Sequence, residues 1–145
     1  EQSLSLVTLG VADLTVTRSF YVDGLGWTPV LEVPDDVIFI QVGHGLLLSL
    51  WNSNDMVAEA GPIVDARGGD GAPPITLGHL CTDEAAVDAV LESAAPASAG
   101  APGERRAWGG YSGYFSDPDG YRWEVAHNPG LRVAADGTVS IGSVE

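Results

Sequence analysis

The feature that most limits what this chain can fold into is an order of elements that occurs twice. The first copy opens with "SLSLVTLGV", a Leu- and Val-rich run that reads as a buried strand. Asp13 follows as a helix N-cap, with Leu14, Arg18 and Tyr21 at helical spacing and Arg18 lending its apolar stem. The glycines of "DGLGW" stop that helix. Three β-rich runs come next, "WTPVLEV", "DVIFIQV" and "LLLSLW", separated by the turn-forming "PDD" and "GHG". About 70 residues further on, the order returns. "PITLGHLC" is a strand, Thr82 or Asp83 caps a helix, and Val87, Val90, Leu91 and Ala94 line one apolar face of it. "RRAW", "GYSGYF" and "YRWEVAH" supply three more strands, the last two joined by the type I turn sequence "DPDG". The tripeptide "TLG" is shared by the opening strands, at Thr8 and at Thr76.

Two βαβββ modules predict an α+β fold. Each forms a mixed four-stranded sheet with one helix on its outer face, and the remaining faces enclose a curved cavity. The first module spans 1–51, a linker rich in Gly, Pro and Asp spans 52–74, and the second module spans 75–129. One helical turn is expected in the linker around Val57 to Ala60. The tail, 130–145, predicts a short hairpin of "LRV" and "TVSIG" around "ADG".

Charge excludes some partners. Twenty acidic residues stand against six basic ones, all Arg, for a net charge of −14. Such a surface repels nucleic acid and anionic membranes, and suits a cationic ligand. The single cysteine, Cys81, makes no internal disulfide and fits a reducing cytoplasm. The first residues lack the basic-then-apolar order of a signal peptide, and the longest apolar run, "GLLLSLW", is too short to span a membrane. A soluble cytoplasmic protein is expected.

One charge sits where strands usually carry apolar groups. Alternation along "YRWEVAH" puts Trp123, Val125 and His127 on one face, and Arg122, Glu124 and Ala126 on the other. The first face suits the helix-covered core, so Glu124 is expected to point into the cavity. Three roles stay open for it: a structural acid paired with His79 or an Arg, an acid or base in contact with a ligand, or a metal ligand. His79 and Cys81 share a side of their strand, and His79 is expected near Glu124 if the two strands are neighbours. Cys81 reads as buried and inert, and His44 and His127 as structural. "RAWGGYSGYF" gathers Trp108, Tyr111 and Tyr114 among glycines, as aromatic walls for a ligand or as a dimer contact. Trp51 is a similar case, and Trp27 reads as core. No phosphate-cradling loop, serine nucleophile elbow or paired-cysteine zinc motif occurs.

"LGVADLTVTRSFYVDGLGW" together with "GYFSDPDGYRWEVAHNP" resembles the vicinal oxygen chelate superfamily, from about Leu4 to Pro129. That group holds glyoxalases, bleomycin-resistance proteins, fosfomycin-resistance enzymes and extradiol dioxygenases. The resemblance implies a homodimer, and one metal ligand from the first and last strand of each module. Glu124 matches the last-strand acid of the second module. The other three positions fall near Leu77, near Leu6, and at Leu48 or Ser49, none of them a good ligand. The expectation is therefore a binding protein, possessing no complete metal site and needing no cofactor, that holds a small organic molecule of cationic or antibiotic-like character. Glu124, His79, Trp108, Tyr111, Trp51 and Arg122 would contact it. The alternative is a lyase, isomerase or dioxygenase in which Glu124 and His79 are catalytic, either with a divalent ion or alone as acid and base.

Overall fold

A computed structural model describes residues 1–63, 72–95 and 100–142. Its contacts divide the chain into two units, Glu1–Gly71 and Ala72–Glu145. Each contains one copy of the repeated order.

In the first unit, β1 (Leu6–Val11) leads into α1 (Leu14–Arg18) and a π-helical turn, Ser19–Gly24. The strands β2 (Pro29–Val33), β3 (Val37–Gly43) and β4 (Leu46–Asn52) follow, and α2 (Ser53–Ala60) closes the unit. The sheet order is β1-β4-β3-β2, with β1 parallel to β4 and the other pairs antiparallel. Leu9, Val11, Ile38, Ile40, Leu48 and Leu50 form the buried side. Asp13 caps α1 by accepting from the amides of Thr15 and Val16 at 2.9 and 3.4 Å. The core side of this helix differs from the one its spacing predicts. Arg18 is exposed and ion-paired with Glu32 at 2.7 Å and Asp23 at 3.5 Å, whereas Thr17, Phe20 and Tyr21 are buried. The wider π turn shifts the later residues around the axis and brings Phe20 and Tyr21 to the core together. Trp27 packs on Tyr21, with ring centroids 5.7 Å apart. On the other side of the sheet, Met56 of α2 rests against Gly10, where a Cβ would meet the thioether at 3.0 Å.

In the second unit, β5 (Thr76–Leu80) precedes α3 (Glu84–Ala94), then β6 (Gly100–Arg105), β7 (Tyr111–Ser116) and β8 (Arg122–His127). The order is β5-β8-β7-β6, the same topology as in the first unit. Asp83 is the N-cap of α3, accepting from the Ala86 amide at 2.7 Å. Val87 and Ala94 of α3, with Phe115, Trp123 and Val125 of the sheet, are buried. Phe115 and Trp123 stack with centroids 5.9 Å apart. Gly113 has no side chain because α3 and β6 come too close: a Cβ there would strike the Leu91 methyl and stand 2.8 Å from the Ala101 carbonyl.

The "DPDG" turn is held by its first residue. The Asp117 carboxylate is buried and accepts from the amides of Asp119 and Tyr121 at 3.0 and 2.9 Å. Gly120 takes φ of 85°, which a residue with a Cβ resists. The tail contributes β9 (Leu131–Val133) and β10 (Val139–Ile141), an antiparallel pair. No helix among the described residues is long and apolar enough to cross a membrane.

Candidate functional site

Cross-strand register builds the site. Tyr114 of β7 and Gly78 of β5 are the partners of Glu124 on its two sides. One row along, Arg122 stands between Thr76 and Ser116. Partners in a ladder point to the same face, so these six residues share the side of the sheet opposite α3. The Tyr114 hydroxyl donates to Oε2 of Glu124 at 2.9 Å. That bond, then burial, raises the Tyr114 pKa, against the pull of Arg106 and Arg122. Arg106 lies over the Tyr114 ring at 5.9 Å from its centroid. It is fixed there by bonds to the Ser112 hydroxyl at 2.9 Å and the Ser112 carbonyl at 3.0 Å, and by Glu104 at 3.3 Å. Tyr114 is thus clamped from above and fixes Glu124 in turn. A Cβ built on Gly78 meets nothing within 4 Å, so the space beside the carboxylate is open.

The expected site residues separate. His79 is the ladder partner of Val125, on the helix-covered side and therefore on the face opposite Glu124. Burial lowers its pKa, which favours the neutral imidazole. Tyr111 also turns to the helix side: its ring covers Gly103, and its hydroxyl donates to Asp88 of α3 at 2.6 Å. Trp108 is 51% exposed in the turn between β6 and β7, with its ring over Gly110. Trp51 belongs to the first unit, where its indole N–H donates to Asp36 at 3.2 Å. Arg122 is the one expected residue that joins Glu124 on its face. Burial, and then Asp83, raise the Cys81 thiol.

Tyr114 is the residue whose role the sequence concealed. The signal was present in the turn: pairing counted outward from Asp117–Tyr121 sets Tyr114 opposite Glu124. Gly78, Thr76 and Ser116 carried no chemical mark in the sequence, and only register brings them to the carboxylate.

A model of the Glyoxalase/Bleomycin resistance protein/Dioxygenase superfamily matches residues 3–125. This chain belongs to that superfamily. A glyoxalase-related enzyme from Fulvimarina pelagi is 32% identical, with 99% of this chain and all of that one covered and a TM-score of 0.86. Lactoylglutathione lyase from Agrobacterium tumefaciens is 25% identical, covering 88% of this chain and 95% of that one at a TM-score of 0.66. A superfamily protein from Nocardioides, at 22% identity over 88% of this chain and 83% of that one, shares the fold with a TM-score of 0.71. No curated protein matches the sequence.

The superfamily implies a metal, and the residues around Glu124 do not fit one. Gly78 offers no side chain, Tyr114 is a protonated phenol donating its hydrogen, and Thr76 and Ser116 bring neutral hydroxyls. Catalytic sites for divalent ions use about three protein ligands of the His, Cys or carboxylate type. Among the described residues no three such groups converge.

Proposed function

We propose that this member of the superfamily is a small-molecule-binding protein. Its contact surface is the face of the second sheet around Glu124, and it works without a complete metal site or other cofactor. One observation carries the reading. Glu124 sits in mid-strand with one oxygen held by Tyr114, and its other oxygen has no partner among the described residues, beside the gap at Gly78. A half-buried carboxylate so arranged accepts a hydrogen bond from a guest at little reorganisation cost, since Tyr114 and Arg106 already fix it. A cationic or donor-bearing organic molecule, antibiotics included, meets that requirement. The protein is proposed to act in the cytoplasm and as a homodimer.

Lyase, isomerase or dioxygenase chemistry is the reading that the names of its relatives would bring to this chain. The register gives it no support as a shared task of His79 and Glu124, which stand on opposite faces. A thermal-shift screen of metabolites and antibiotics, with and without divalent metals, tests the proposal. Ligands are expected to raise the melting temperature of the parent and not of Glu124→Gln, with metal making no difference. Stoichiometric zinc, nickel, iron or manganese in protein purified without chelator would overturn it. Light scattering checks the dimer.

A further inference from the structure

The arginines of this acidic chain are few, and most of those described are neutralised. Arg18 is paired with Glu32 and Asp23, Arg105 with Glu84, and Arg106 with Glu104. Arg122 and Arg132 make no ion pair among the described residues, although the chain carries 20 carboxylates. Arg132 lies on the tail strand β9. Arg122 lies on β8, in the row next to Glu124, with the hydroxyls of Thr76 and Ser116 as its neighbours on either side. Neither hydroxyl has a side-chain partner among the described residues.

We infer that this face takes a small carboxylate that also carries an N–H or O–H donor a few bonds away. The inference rests on the proposal that the face binds a small molecule, and it names the ligand class. A guanidinium flanked by two hydroxyls in one ladder row presents several donors to a planar anion and no acceptor charge to repel it. Two residues on, about 7 Å along the strand, the uncommitted oxygen of Glu124 accepts from a donor. The open space at Gly78 of β5, the ladder partner of Glu124, leaves room for the body of the guest. A purely cationic guest would satisfy Glu124 and leave Arg122 repelling it. A purely anionic guest would satisfy Arg122 and meet the Glu124 charge. A molecule with both groups in that order satisfies each.

Three probes of one length separate these cases: 4-aminobutyrate, butyrate and butylamine, titrated by ligand-observed NMR. The parent is expected to bind 4-aminobutyrate roughly tenfold or more tightly than either single-headed probe, the factor for one charge-assisted hydrogen bond. Arg122→Gln and Glu124→Gln should each remove that advantage. Arg132→Gln, which replaces the other described arginine without an ion pair, should keep it. Equal binding of butylamine and 4-aminobutyrate, unchanged by Arg122→Gln but lost in Glu124→Gln, would overturn the carboxylate assignment and leave the binding face intact. Absence of binding by all three would overturn this ligand class, while the face itself is judged separately by the wider thermal-shift screen. Circular dichroism of each variant confirms folding, which these exposed or half-buried polar replacements should preserve.

Discussion

Replacing Tyr114 with Phe removes one oxygen and leaves the ring, the Arg106 contact and the strand in place. What is lost is the hydroxyl's bond to Oε2 of Glu124, 2.9 Å long. Hydrogen bonds to charged groups contribute about 1.5–3 kcal/mol. The pair is only part-buried, and solvent screens the bond, so roughly 1 kcal/mol is expected. Urea unfolding followed by near-UV circular dichroism at pH 7 should show that loss in the Phe variant. The pH dependence supplies a second and sharper reading. The Tyr114 pKa is raised in the folded protein, first by the bond to Glu124 and then by burial. Its stabilisation is therefore fully present below the ordinary tyrosine value near 10, and disappears as pH rises through the folded value. The parent and Tyr114→Phe should converge in stability above that value. The comparison is unusually clean because the chain has no Lys to titrate in the same range, and Tyr111 is common to both proteins. Equal stability at pH 7, or a difference that persists unchanged at high pH, would refute the clamp on Glu124.

Gly113→Ala should destabilise the second unit by about 1–3 kcal/mol, the usual cost of overpacking, because the new methyl meets Leu91 and the Ala101 carbonyl; chemical denaturation measures it. Asp83→Ala should cost about 1 kcal/mol, as loss of an N-cap does, read by the same method. Burial lowers the His79 pKa, so the parent should lose stability as pH falls from about 6.5 toward the folded value. His79→Gln should flatten that slope in acid unfolding titrations.

Most strands and their order were legible because alternation and turn residues mark them, but β6 was not. It runs over the Gly- and Pro-containing Gly100–Arg105, which carries no alternation, and the expected strand "RRAW" passes its end at Arg105 into the turn before β7. The pairing of β7 with β8 was legible too, since a five-residue turn joins them and sets Tyr114 against Glu124. The pairing of β5 with β8 was not. A helix and two strands lie between them in sequence, and no local turn fixes their register. A slip of one residue turns every side chain of a strand to the other face. Alternation alone therefore allows His79 on the face of Glu124 if the strands are neighbours, while the ladder sets it beside Val125. Arg18 was misplaced for a different reason: a 3.6-residue period does not foresee a π turn, and the core takes Thr17, Phe20 and Tyr21.

Gly78 has an evolutionary consequence. A single base change turns a glycine codon into one for aspartate or glutamate, and nothing at this position resists the new side chain. Two carboxylates would then stand on adjacent strands about 5 Å apart, close enough to share a proton. One nucleotide would thus add a second acid beside Glu124, at a position where the sheet leaves room for it.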